Sequence, residues 1–135
     1  MAIAYSTTKD ITIEQILPVY QANKWSSANV PKTLHQALLN SHSLVTAWDG
    51  KKLVGIGNAI SDGFLVVYYP HLLVHLDYQR RGIGKEIMNI LQQQYRGFHM
   101  QILVAEREAI AFYQKFGFTK AGKTESMWIY EGNDY

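Results

Sequence analysis

The stretch from Leu72 to Tyr95, LLVHLDYQRRGIGKEIMNILQQQY, constrains this chain more than any other part of it. Leu72-Leu73-Val74 reads as a buried strand, and Gln79-Arg80-Arg81-Gly82-Ile83-Gly84 as a glycine-containing loop. Ile83, Ile87, Ile90 and Leu91 then fall at i, i+4, i+7 and i+8, one face of an α-helix. A strand, loop and helix followed by another strand, Met100 to Val104, make a crossover, so that next strand is expected to run parallel. The same arrangement can hold an anion. The first N–H groups of a helix lack internal partners, and the helix dipole adds roughly half a positive charge there. Without side chains, Gly82 and Gly84 let an anion approach the main chain.

Two phosphate loops fail on this stretch. A Walker loop needs Gly four residues before its Gly-Lys and Ser or Thr after the Lys; here Gln79 and Glu86 stand at those places. The dinucleotide fingerprint needs a glycine where Ile87 stands. What remains is Gln-x-x-Gly-x-Gly after a Val-His strand end. Some thirty residues downstream, beyond a strand, lies Ala109-Ile110-Ala111-Phe112-Tyr113-Gln114-Lys115-Phe116-Gly117-Phe118. The loop resembles the acetyl-CoA pyrophosphate loop of the GNAT (Gcn5-related) N-acetyltransferases, and the second motif resembles that family's AxxFYxKxGF helix. The similarity extends from Leu44 to Phe118.

The resemblance implies an α/β, three-layer fold. Its sheet would be mixed and mostly antiparallel, of six or seven strands with about four helices, and splayed between the family's fourth and fifth strands. It implies acetyl-CoA as co-substrate. The pyrophosphate would lie on backbone N–H groups from Arg80 to Gly84, including Arg81, Gly82 and Ile83, with Gln79 at the loop entry and charge from Arg80, Arg81 or Lys85. Leu72, Leu73 and Val74 would offer main-chain groups to the pantetheine arm, as an added strand would. Tyr113 would reach the cofactor sulfur; a tyrosine with a pKa of about 10 is protonated at neutral pH and can serve as the acid. Where the family often has Asn, seven residues before the tyrosine, this chain has Glu106, and Leu76 stands where Pro is common.

Acetyl transfer also needs a neutral amine. An acceptor of pKa ~10.4 costs about 4.6 kcal/mol to deprotonate at pH 7, one near 8 only about 1.4 kcal/mol. Candidates to help are His71, Asp62 and Tyr69, with His71 the best placed and His75 ordering the loop entry. An acceptor pocket is expected between the early helices and the hairpin, from Trp25, Trp48, Asn58, Tyr68, Tyr69 and Trp128. The expected reaction is transfer to a primary amine of a small molecule by direct attack in a ternary complex. Protein or peptide acetylation, and a silent CoA-binding regulatory module, are the alternatives.

The rest of the chain supplies limits. At 135 residues it is expected to form one domain over 1–135. A net charge of +2, with no basic run beyond Lys51-Lys52 and Arg80-Arg81, gives no reason to expect nucleic-acid binding. There is no cysteine, hence no disulfide, thiolate nucleophile or covalent acyl carrier, and no metal site is expected from the histidines. No apolar run approaches the ~20 residues of a membrane span and no signal peptide is seen, so the expected location is cytoplasmic. Thr12-Ile13-Glu14-Gln15 reads as a capping box opening a helix towards Trp25, with a kink or late start at Pro18. Pro31 to Asn40 is a second helix burying Leu34, Ala37 and Leu38. Ser43–Trp48 and Leu53–Ile60 form a hairpin across Asp49-Gly50. Phe64 to Val74 is a third meander strand interrupted by Pro70. Thr119-Lys120-Ala121 and Met127 to Tyr130 are expected as a closing antiparallel pair, through which a homodimer is compatible with the sequence though not required by it.

Overall fold

The computed structural model describes residues 2–134. Short β1 (Ala4–Ser6) leads to α1 (Ile13–Ala22), a 3₁₀ turn (Ser26–Asn29) and α2 (Pro31–Leu39). β2 (Ser43–Asp49) and β3 (Lys52–Ser61) form the hairpin, followed by β4 (Val66–Tyr68) and β5 (Leu72–Val74). α3 (Ile83–Gln94), β6 (Met100–Ile102) and α4 (Ile110–Gln114) complete the elements. The capping box is present: the Thr12 hydroxyl accepts from the Gln15 N–H, and the Gln15 side chain accepts from the Thr12 N–H. Pro18 neither delays nor ends α1. It lies on the exposed side, where the carbonyl it deprives, that of Glu14, is open to water.

The sheet runs β1-β2-β3-β4-β6, antiparallel except for the parallel pair β4–β6. Its two faces are covered differently. α1 and α2 bring Ile16, Val19, Tyr20, Leu34 and Leu38 onto Leu44, Ile56 and Leu73. α3 brings Ile83, Ile87, Met88 and Leu91 onto Val45, Ala47 and Val67. Helix α3 sits very close to β3. A Cβ placed on Gly57 would be 2.6 Å from Ile87 Cγ2, so only glycine fits there.

β4 and β5 are two halves of one strand path, both antiparallel to β3. Val67 and Tyr68 pair with Ser61 and Ile60, and Leu72, Leu73 and Val74 with Gly57, Ile56 and Gly55. Tyr69-Pro70-His71 interrupts the path, as the missing proline N–H requires. β6 follows β4 only. The last bond between them runs from the Tyr69 N–H to the Ile102 carbonyl at 3.1 Å, and past it β5 and the chain after Ile102 separate. This is the splay that the resemblance implies.

Two expectations are corrected, that Ala37 is buried and that the chain closes with a pair of strands. Ala37 is exposed, because the buried face of α2 is the narrower stripe of Leu34 and Leu38. α4 is one short turn-and-a-half in which Phe112 and Tyr113 are half-buried, Tyr113 packing on the core and Phe112 on Tyr113 and Phe116. The closing pair of strands does not form among the described residues. Lys120 to Thr124 turns tightly, with Gly122 at φ 61° and its N–H bonded to the Lys120 carbonyl, which leaves too little extended chain before it to pair. The end of the chain is tied elsewhere: the Asp134 carboxylate accepts from the Ser26 N–H and the Tyr130 hydroxyl, both at 2.7 Å.

Candidate active site

The splay opens onto the first turn of α3. Gly82 caps that helix in the left-handed region (φ 81°), and a Cβ there would meet nothing. Arg80 is also left-handed at φ 64°, a conformation non-glycine residues rarely take. The loop therefore turns its backbone sharply into the helix, with Arg80, Arg81 and Lys85 exposed around it. The Arg81 guanidinium lies 5.3 Å from the Tyr78 ring centre, and the Tyr78 hydroxyl donates to Asp49 Oδ2 at 2.6 Å. The Ile83 side chain is buried beneath, in the core.

Gly84 marks where three elements converge. A Cβ on it would lie 3.7 Å from both Val74 Cγ2 and Phe112 Cζ, so β5, α3 and α4 meet across a space bounded by a missing side chain. Tyr113, next to Phe112, packs its ring edge-on to Phe112 and Phe118. The glycine loop, the strand and the tyrosine helix are thus brought together.

Within β5 the three residues are not equivalent. His71 gives its carbonyl to Asn58, and His75 its N–H to Val54, both on β3. In an antiparallel ladder every second residue faces the same neighbour, so Leu73 turns its main chain to β3 as well. Leu72 and Val74 face the splay. Leu73 accordingly contributes packing, which corrects its expected role. The Val74 carbonyl is already taken, by Asn23 Nδ2 at 3.0 Å and Gln79 Nε2 at 3.0 Å. Gln79 therefore clamps strand to loop, and Asn23, at the end of α1, is a partner that no local motif marks.

Beside this lies a cavity of about 680 Å³ that includes Trp25, Tyr68, His71, Val104, Trp128 and Tyr130. It also carries two carboxylates, Glu131 and Asp134, and no lysine or arginine. Trp48, Asn58 and Tyr69 were expected there and lie elsewhere. The Trp48 indole donates to Thr46; Asn58 bridges Ser41 and the His71 N–H; Tyr69 is buried with its hydroxyl on Gln101. Asp62 accepts N–H bonds from Phe64, Leu65 and Val66 in its own turn, which holds its carboxyl below the usual range. His75 caps the turn after β5 by accepting from the Asp77 N–H. Glu106 is exposed to solvent at the start of a 3₁₀ turn.

His71 sits in a strongly altered environment. Burial pushes its pKa down to about 4, so the ring is neutral at pH 7. Nδ1 lies 2.7 Å from the hydroxyl of Tyr20, and the Trp25 ring stands edge-on at 5.0 Å. Tyr20 is itself fully buried, which raises its pKa and keeps the phenol protonated. A buried hydroxyl must place its hydrogen on an acceptor. The network therefore assigns Tyr20 as donor and Nδ1 as acceptor, leaving the ring hydrogen on Nε2.

The comparisons with known proteins agree with this geometry. A family profile described as "Acetyltransferase (GNAT) domain" matches residues 7–128. The chain belongs to the GNAT acetyltransferase family, whose donor is acetyl-CoA. Among curated proteins it is 30% identical over 124 residues to the "Uncharacterized N-acetyltransferase ycf52" of Pyropia yezoensis, covering 87% of this chain and 71% of that one. It is 32% identical over 101 residues to the "Peptidyl-lysine N-acetyltransferase YiaC" of Escherichia coli K12, covering 75% of this chain and 65% of that protein. Among solved structures, the GNAT family protein SP0256 of Streptococcus pneumoniae superposes with a TM-score of 0.82 at 29% identity, over 96% of this chain and 99% of that one.

Proposed function

We propose that this acetyltransferase moves the acetyl group of acetyl-CoA to a primary amine of a small molecule by direct attack in a ternary complex. The observation that supports this most is the convergence of Gly84, Val74 and Phe112 beside Tyr113, next to a separate aromatic cavity. The residues fit the donor. The loop from Gln79 through Arg80, Arg81, Gly82 and Ile83 to Gly84 exposes main chain at a helix N-terminus, with Lys85 beside it. Leu72 and the Val74 N–H face the splay, where they can pair with an extended arm. The bound donor supplies an activated thioester.

In this reading the acceptor nitrogen attacks the thioester carbon, the C–S bond breaks, and Tyr113 gives its phenolic proton to the departing sulfur. The neutral amine's nitrogen loses one proton to solvent as the amide forms, and solvent returns one to the Tyr113 phenolate. We place His71 in the acceptor cavity. Its Nε2–H makes it a donor to an oxygen or other acceptor atom of the substrate away from the attacking lone pair, rather than the base expected from its position, because Tyr20 already occupies Nδ1. With two carboxylates and no cation in the cavity, the acceptor is expected to be cationic overall.

The test is free CoA release from acetyl-CoA with a panel of mono- and diamines beside lysine peptides. Tyr113→Phe should lower kcat by about 10²-fold or more with little change in acetyl-CoA affinity. Unchanged turnover removes the acid assignment. The resemblance to a peptidyl-lysine enzyme supports a second reading, peptide acetylation, and turnover of the peptides alone would select it. Tight donor binding with no turnover on any acceptor would leave a regulatory module.

A further inference from the structure

His71 is held on every side but one. Pro70 interrupts the ladder just before it, and Asn58 of β3 bridges the gap. The Asn58 side-chain carbonyl accepts from the His71 N–H at 3.0 Å, and the Asn58 N–H donates to the His71 carbonyl at 3.1 Å. The same amide is fixed in turn, donating to Ser41 Oγ at 2.9 Å in the buried interior. The imidazole is pinned at Nδ1 by the Tyr20 hydroxyl, with the Tyr20 and Trp25 rings 5.5 and 5.0 Å away. Nε2 is different. It has no partner among the described residues, yet it is not sealed in, because Ser27 Oγ is the one enclosed side-chain polar atom without a partner there. His71 lines the acceptor cavity, so Nε2 opens onto it.

The hydrogen on Nε2 cannot readily be exchanged for a lone pair. Moving it to Nδ1 would turn that nitrogen into a donor towards Tyr20, whose oxygen would then have to accept. The Tyr20 hydroxyl is fully buried, and its hydrogen bond is to His71. Its own hydrogen would be left without an acceptor, and an unmade bond at a buried donor costs more than the bond itself contributes. The ring therefore meets the cavity as a donor only. An ether, hydroxyl or carbonyl oxygen can accept from it, whereas an ammonium placed there sets donor against donor.

We propose that Tyr20 is a positioning residue for the choice of acceptor. By holding His71 in one tautomer, it makes the cavity wall a hydrogen-bond donor that selects amines carrying an oxygen acceptor over amines whose second group only donates. Glu131 and Asp134 do not draw this distinction, since they attract the ammonium form of either kind. Removing the Tyr20 hydroxyl removes the penalty for moving the ring hydrogen, so the wall becomes able to accept as well as donate. The selection rests on the small-molecule reading above; the tautomer does not.

The experiment reads the ring and the selection separately, on the whole chain. Nitrogen NMR of isotope-labelled protein at pH 7 should show His71, assigned by its absence in His71→Gln, with the hydrogen on Nε2. A hydrogen on Nδ1 overturns the proposal. Free CoA release is then compared for methoxypropylamine and N-methylpropanediamine, which are matched in length, with an ether oxygen in one where the other has an ammonium. The ratio of their kcat/KM values should fall about tenfold from wild type to Tyr20→Phe, because the diamine gains. The attraction of the carboxylates is common to both proteins and cancels. His71→Gln should keep the wild-type ratio, since its oxygen can accept from Tyr20 while its N–H groups meet the cavity, and His71→Leu should lose it. Those two variants decide the matter if Tyr20→Phe does not fold. A ratio unchanged in Tyr20→Phe and His71→Leu overturns the selection even where the tautomer is as expected. Turnover of lysine peptides with none of any small amine overturns the small-molecule reading and the selection with it, while the ring spectrum still reports whether Tyr20 holds the tautomer.

Discussion

Acidification should destabilise this protein, and one side chain, His71, carries a separable share of the loss. His71 has a pKa of about 4 in the folded state against 6.5 for a free imidazole, and desolvation is the cause. At pH 7 the ring is neutral in both states and contributes no pH dependence. Between 6.5 and 4 the unfolded chain binds a proton that the folded chain refuses, so stability falls as pH falls through that window and levels off below it. The difference corresponds to about 3 kcal/mol at its full extent. A loss of that size is a large part of the 5–15 kcal/mol that typically separates folded from unfolded states. Urea unfolding at several pH values between 7 and 4 measures it directly. His71→Gln provides the control: glutamine can still accept from Tyr20 but does not titrate. The variant is expected to be somewhat less stable at pH 7 and to lose about 3 kcal/mol less than wild type on acidification. Carboxylates held low, such as Asp62 and Asp134, are common to both proteins and cancel in the difference. Parallel stability-against-pH curves for the two would refute the claim that burial keeps this ring neutral.

Two further substitutions separate folding from binding. Gly84→Ala adds a Cβ in ordinary contact with Val74 and Phe112, inside a helix where alanine is preferred by about 1 kcal/mol; melting should be unchanged or raised while acetyl-CoA affinity by titration calorimetry falls tenfold or more. Unaltered affinity would mean the donor does not pass that point. Gly57→Ala does the reverse. Its Cβ would press on Ile87 at 2.6 Å, and overpacking of this kind costs about 1–3 kcal/mol in a denaturant titration, with donor affinity in the surviving folded protein unchanged.

Elements carried by local chemistry were legible before any coordinates. The capping box at Thr12, the Asp49-Gly50 turn, the helix face of Ile83, Ile87 and Leu91, and the break at Pro70 each follow from a residue type and its spacing. The loop and tyrosine motifs likewise indicated which segments meet, and Gly84 shows them meeting. What escaped depended on distant partners. Tyr20 touches His71 across 51 positions, and Asn23 reaches Val74 across the same separation; nothing local to either marks the bond. The tail failed for a related reason. Met127 to Tyr130 has the composition of a strand, but strandhood needs a neighbour, and a propensity cannot supply one.

The interruption at Pro70 divides a single run of chain into two trades. Upstream of it, the backbone holds β6; two residues later, alternate main-chain groups turn away from β3 towards the splay. One imino ring thereby marks where the strand path stops serving one neighbour and turns towards another.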